Sequence, residues 1–347
     1  MIFARKNKKH EMLVFLHQCR VHRKDAEFRR VVLNGYQNAN FLELEDKGNE
    51  YPGKTIYHIG AYGCYVGFFA EFLFLLIRLY FADDRGFVPF VYWGDEFLYY
   101  EKDGIEGEKN AFRYYFDPVS EVYSSENAAH VLVANSWHIH SVQNKLNTHG
   151  YAVSEEYMDV LSKMVKKYIR YNKKTSDYLD KSYYDLLGEK KALAVHFRGT
   201  DYRRQYNNHP VFVTLDQEIK KVYELLDTKK YEVIFLATDE QEAIEQFQEE
   251  FGDKVKFFED TWRADGGDES VAYSESVREN HHYLLGLEVL RDQYMLTRCK
   301  GLVCGISNLT LSARVMRKAW YEEDYEDLVV LNGELCHNDR NFCDEKH

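Results

Sequence analysis

The segment Ala194-Val195-His196-Phe197-Arg198-Gly199-Thr200-Asp201-Tyr202 joins an apolar run to the spacing His-x-Arg-x-x-Asp. Such a run reads as a buried strand, so its polar end sits at the carboxyl edge of a sheet, where α/β proteins bind ligands. Arg198 offers a planar fork of donors that matches phosphate oxygens. Asp201 is placed to hold that fork or to cap the turn. The same residues also fit a strand-end ion pair with no ligand at all.

Three further stretches carry chemistry. Ala237-Thr238-Asp239-Glu240 ends the next apolar run with two carboxylates at the same sheet edge, and Asp239 also suits a helix cap. Leu290-Arg291-Asp292 puts an acid among apolar residues inside a helical pattern, where an Asp ordinarily faces solvent. Gly305-Ile306-Ser307-Asn308 lies between a strand and a helix whose first amides would be free to bind phosphate. Ser307 fits an N-cap equally well, and the two roles are compatible.

The elements that must position these residues alternate cleanly in the second half of the chain. Strands are predicted over 193–197, 233–237, 255–258 and 301–304, and helices over 215–226, 241–251, 279–299 and 308–318. Strands separated by such helices form a parallel α/β sheet. In the first half, strands are predicted over 55–59, 87–93 and 130–134. Helices follow over 66–82, closed by Asp83, Asp84 and Gly86, and over 154–171 with Ser154 as cap. The polar stretch Asn172–Lys190 reads as the boundary between two Rossmann-like α/β units, placed at residues 1–175 and 176–347. Facing each other across a cleft, they would make the GT-B arrangement, although the pattern alone also allows other two-domain Rossmann-like proteins.

At 347 residues, 45% of them hydrophobic, with only 4 prolines and 20 glycines, the chain suits two packed domains without long disordered linkers. Its net charge of −12 argues against a nucleic-acid partner. The start is nevertheless basic (Arg5, Lys6, Lys8, Lys9, Arg20, Arg23, Lys24, Arg29, Arg30), which suits either a solvated helix face or peripheral contact with anionic lipid. No secretory signal is evident, and Glu71 and Arg78 interrupt the most apolar stretch, so a cytoplasmic, possible-lipid-surface location is expected rather than a membrane span. The 6 cysteines contain no C-x-x-C pair and read as buried or free thiols. The tail from Cys336 to His347 has a Cys/His pattern, but its spacing fits no familiar zinc site and no metal is expected.

Taken in order, VHFRGTDY, His209-Pro210, IFLATDE and LLGLEVLRDQYMLTRCKGLVCGISNLTLSAR resemble the α-1,6-fucosyltransferases and the bacterial nodulation fucosyltransferases over about 191–314. Ala61-Tyr62-Gly63-Cys64 is similar to that family's GYGC turn. The resemblance implies a GT-B fold and an inverting transfer from a GDP-fucose donor to a glycan or glycolipid acceptor, without metal or other cofactor. It places Arg198 on the β-phosphate as the catalytic residue, His196 and Asp292 at guanine, and Ser307 with its neighbour Asn308 at the pyrophosphate. Asp201 and Asp239 would serve the same donor site, and Gly63 would approach it from the first domain. The carboxylate of Asp292 suits guanine because it can accept from N1–H and the exocyclic amine together. Two departures stand out. The family's Arg-Arg pair is Arg198-Gly199 here, leaving Arg203 or Arg204 as replacement cations. The family's basic Glu has no counterpart between Tyr202 and Val213, where Tyr206 falls near its place. Glu71, Asp95 and Glu96 are then the candidates for a general base.

Overall fold

A computed structural model describes residues 44–62, 66–146, 148, 151, 153–264 and 270–340, together with Leu16 and Arg20. The basic N-terminal stretch otherwise lies outside the described residues, as do Gly63, Cys343 and His347. Among the described residues no helix is long and apolar enough to cross a membrane.

The α/β class expected from the sequence is observed as two mostly parallel sheets with helices packed on them. The first sheet holds β1 (Leu44–Glu45), β2 (Ile56–Ile59), β3 (Val88–Val91) and β4 (Val131–Val133), in the order β1-β4-β2-β3. Strand β2 is parallel to both β3 and β4, while β1 runs antiparallel to β4. Helix α1 (Phe68–Arg85) links β2 to β3 and buries residues on nearly every face, Glu71 and Arg78 included, which explains why its apolar residues are not confined to one stripe. Helices α2 (Ser136–Lys145), α3 (Glu155–Tyr168) and α4 (Lys173–Leu186) complete this half.

The second sheet is entirely parallel. It is built from β5 (Ala192–Phe197), α5 (Leu215–Lys229), β6 (Val233–Thr238), α6 (Gln241–Phe251), β7 (Val255–Lys256), α7 (His281–Arg298), β8 (Gly301–Cys304), α8 (Asn308–Tyr321) and β9 (Asp327–Val330). The strand order is β7-β6-β5-β8-β9. All six residues of β5 are buried, as expected for a parallel strand covered on both faces. In this order the chain leaves β5 toward β6 on one side, and β8 lies on the other. The carboxyl ends of β5 and β8 therefore flank the topological switch point, where a crevice opens.

Several elements differ from expectation, β1 and α2 among them, since neither is predicted from the sequence. The polar stretch 172–190 is mostly helix α4, whose cap Asn172 accepts from the Thr175 amide at 2.9 Å. It buries only Thr175 and Leu179 fully, and Asp180 fastens it to Arg298 of α7 at 2.8 Å. Its polar surface thus belongs to a docked helix. Helix α3 ends at Tyr168 because Ile169 turns extended. The stretch after α8, acidic at Glu322, Glu323, Asp324, Glu326 and Asp327 and with no element predicted, contains an edge strand, β9, with alternating half-buried and exposed residues.

The halves are joined by more than a linker. Leu290 and Tyr294 of α7 and Val315 and Met316 of α8 belong to the same buried cluster as Phe72 of α1 and Leu161 of α3. The Ser162 hydroxyl donates to the Val315 carbonyl at 3.1 Å, and the Tyr115 hydroxyl to the Tyr283 carbonyl at 3.0 Å. Gly286 permits this approach, since a Cβ there would lie 2.2 Å from the Tyr115 hydroxyl.

Candidate active site

Arg198 follows directly on β5 and faces a cavity of about 360 Å³ at the switch point. Its Nε and Nη2 donate to Asp201 Oδ1 at 3.1 and 2.7 Å, and Nη2 also reaches Ser270 Oγ at 3.2 Å. Asp239 Oδ2 lies 3.5 Å from Nε. One edge of the guanidinium is therefore held by carboxylates, and Nη1 has no hydrogen-bond partner among the described residues. Burial works against the Asp201 charge, but Arg198 more than compensates and holds its carboxyl below the usual range. The side chain of Arg198 stays 30% exposed toward the cavity.

Asp239 braces the loop rather than capping α6, whose N-cap is Glu240. Its carboxylate accepts from the Gly199 amide at 3.1 Å and the Thr200 hydroxyl at 2.7 Å. The missing second arginine has a physical reason. A Cβ at position 199 would lie 2.0 Å from the Glu240 carboxyl carbon, so that carboxyl occupies the space a side chain would need. Glu240 in turn binds both terminal nitrogens of Arg203. Arg203 is committed there, and Arg204 donates to the Tyr206 hydroxyl at 3.1 Å. Neither replaces the missing cation in the cavity wall.

His196 and Asp292 both line the cavity and are buried. Neither has a hydrogen-bond partner among the described residues. Burial, helped by the charge of Arg198, pushes the His196 imidazole down to about 3, so it is neutral. Burial also pushes the Asp292 carboxyl up to about 7, against the pull of Arg291 and Arg263. The sequence suggests a surface position for Asp292, but α7 is packed on all sides there. Arg291 is turned away to Asp260, at 2.7 and 3.1 Å, and Glu288 is held by Arg278 at 2.6 Å and the Trp262 amide at 3.0 Å.

Across the switch point, Ser307 caps α8 by accepting from the Thr310 amide at 3.1 Å. The Ile306 amide goes to Asn332 Oδ1 at 2.6 Å. The amides of Asn308 and Leu309 stay at the helix start, and both residues line the cavity. Asn308 Nδ2 donates to the Tyr151 hydroxyl at 3.4 Å, so the first half reaches the site here. Tyr151 and Ser270 carry no motif, and nothing in the sequence marks them.

From the first half the cavity is lined by α1 residues such as Phe68 and Phe74 and by Tyr99. Glu71, Asp95 and Glu96 do not line it. Glu71 accepts from the Tyr62 amide at 2.7 Å, and Glu96 from the Ala61 amide at 3.1 Å. Arg78 donates to the Gly60 carbonyl at 2.8 Å. These side chains hold the turn after β2, and Asp95 is exposed. Three residues expected as candidate bases are therefore structural or solvent-facing. Among the described residues no cluster of metal-ligating side chains occurs, and Cys299, Cys304 and Cys336 are buried free thiols.

No family model matches the sequence, and no curated protein does so either. Several solved structures are similar in fold. A NodZ α-1,6-fucosyltransferase soaked with GDP-fucose is 16% identical, with 76% of this chain and 92% of that chain covered at a TM-score of 0.43. The fucosyltransferase NodZ from Bradyrhizobium is 15% identical over 75% and 92%, at 0.43. POFUT1 in complex with GDP is 11% identical over 80% and 98%, at 0.48. At such identities and TM-scores the activity has to be argued from the site.

Proposed function

We propose that this chain is an inverting, metal-independent fucosyltransferase that moves fucose from GDP-fucose to a hydroxyl of a glycan or glycolipid. The observation that carries the reading is one cavity lined by two sets of polar groups. A fixed guanidinium and the amides of a helix start form the first, a pairing that suits a diphosphate. Neutral His196 and unpartnered Asp292 form the second, which suits a flat base with both donors and acceptors.

In this reading the acceptor oxygen attacks C1 of the sugar and GDP leaves in a single displacement. Negative charge grows on the β-phosphate as the bond breaks. Arg198 meets it with Nη1, while Asp201 keeps the guanidinium from turning. Asn308 and Leu309 supply backbone donors that need no reorganisation. The acceptor then enters from the side lined by Phe68, Phe74 and Tyr99, and the division at residues 1–175 and 176–347 separates acceptor-side from donor-side units.

One feature favours a second reading, a GDP-sugar-binding protein without transfer activity. Every carboxylate lining the cavity is already engaged or buried: Asp201 by Arg198, Asp239 by the 199–200 loop, Glu288 by Arg278, and Asp292 beneath the surface. None stands open as a proton acceptor. Incubation with GDP-fucose, with and without an acceptor glycan array, separates the two. GDP release with label on a glycan supports the transferase, and tight GDP binding without turnover supports the binder. Another GDP-hexose in place of GDP-fucose would show as turnover with that donor alone.

A further inference from the structure

Glu218 lies in the first turn of α5, 1% exposed, in the interior behind the phosphate end of the site. Its Oε2 has no hydrogen-bond partner, and its carboxyl makes no hydrogen bond among the described residues. Leaving such a group buried and unsatisfied is costly, so a partner for it is expected. Burial pushes the carboxyl well above its usual range, so it is a neutral acid with one O–H to donate.

What it faces is a second, small cavity of about 10 Å³ shared with His196, Gly305, Ser307 and Asn332. That volume is at the lower limit for one water. Most other polar groups of this wall are occupied. Asn332 accepts from the Ile306 amide at 2.6 Å and donates to the Val211 carbonyl at 2.6 Å. Ser307 is tied to Thr310, and Arg198 turns Nε and Nη2 to Asp201. Glu218 and His196 are the two without hydrogen bonds among the described residues. His196, Arg198, Tyr202 and Ser307 line both this cavity and the ligand cavity, and of these His196 is the one whose side chain has no hydrogen bond among the described residues.

We infer that Glu218, through one water in the small cavity, fixes the tautomer of His196 and so presents an N–H donor to the ligand cavity. The proton order follows from the chemistry. A neutral carboxylic acid donates its O–H to the water, and the water donates to the nearer imidazole nitrogen. That nitrogen must then be the unprotonated one, which leaves the ring proton on the other nitrogen. A donor there matches the O6 and N7 acceptors of guanine and conflicts with the exocyclic amine of adenine. Glu218 is thus a positioning residue for base selection, and this part of the inference rests on the GDP reading above.

The test uses the full chain with 15N-labelled histidine, the His196 signals being assigned by comparison with His196→Gln. Without nucleotide, the wild-type ring is expected as one neutral tautomer, with one protonated and one bare nitrogen. Glu218→Gln keeps a donor and should keep that tautomer, whereas Glu218→Leu should shift it or average the two. By calorimetry, Glu218→Leu should weaken GDP binding about tenfold, the worth of one hydrogen bond, and Glu218→Gln by less than about twofold. The melting temperature of Glu218→Leu should not fall, because an apolar side chain replaces a group with no protein partner. An averaged ring in the wild type, or an unchanged ring in Glu218→Leu, overturns the proposal, and so does weaker GDP binding that tracks lost stability alone. If the wild type fails to bind GDP, the functional reading fails while the ring spectra still decide the link between Glu218 and His196.

Discussion

Replacing Arg198 separates a ligand-binding guanidinium from a strand-end ion pair, because the two roles set different magnitudes for stability and for rate. The side chain of Arg198 is 30% exposed and that of Asp201 is 16% exposed. Breaking a fully buried pair costs about 3–5 kcal/mol, and an exposed one about 0–1. A pair this accessible to solvent should therefore cost about 1–2 kcal/mol in Arg198→Ala, a fall of a few degrees in Tm. The rate should fall far more, by on the order of 10²–10³-fold, the effect of removing one preorganised donor at a developing charge. Arg198→Lys keeps the charge but cannot be held along one edge by Asp201 while offering Nη1. It should lower kcat more than it raises KM. The acid limb adds a check of sign. Because Arg198 lowers the Asp201 carboxyl, the stability from that pair is present above about pH 4, the unfolded value, and is lost as pH falls through the lower folded value. The wild type should lose its Tm advantage over Arg198→Ala in that acid range. Turnover and melting are measured on the same preparations. A stable Arg198→Ala that transfers fucose at the native rate would refute the reasoning, leaving only the ion pair.

Calorimetry should show GDP binding well and UDP or ADP hardly at all, and equal affinity for UDP would end the guanine assignment. Asp292 should release a proton when GDP binds at about pH 6.5, since burial holds its carboxyl near 7 in the free protein and guanine requires the anion. Heats in buffers of different ionisation enthalpy would show it, and Asp292→Asn should abolish it. By the same shift the folded state loses stability as pH rises from about 4 toward 7, a slope that Asp292→Asn should flatten. Transfer activity should persist in EDTA; complete loss reversed by Mn²⁺ would mean that the diphosphate contacts are misassigned. Gly199→Ala should cost about 1–3 kcal/mol by forcing Glu240 off Arg203, and much of this should vanish when Glu240 is already alanine. Additive losses in that double variant would show that the clash is not with Glu240.

What was legible in the sequence were features that one segment carries by itself. The run from Ala192 to Phe197 announces a buried parallel strand because both of its faces are covered, and the rule of sheet edges then gives Arg198 its place. Helix α4 reads as a polar boundary because its contribution to the core is so small, and β9 gives no strand signal because its four residues lie at a sheet edge and none is fully buried. Within the site, Arg198, His196, Asp292 and the start of α8 line one cavity. The roles of their neighbours depend on contacts that spacing cannot show. Arg203 is indistinguishable in sequence from a free phosphate-binding cation, and only Glu240, folded back against Gly199, removes it from the cavity. Glu71 is similar: an acid in an apolar helix reads as chemistry, yet it is spent on the Tyr62 amide. A second cation at position 199 and a carboxylate at 240 compete for the same space, so the Arg-Gly departure is a property of that pair. In the transferase reading proposed above, the charge that a second arginine would have met falls to Arg198 and to the backbone amides at the start of α8 together, which is why Arg198→Ala is expected to cost so much more in rate than in stability.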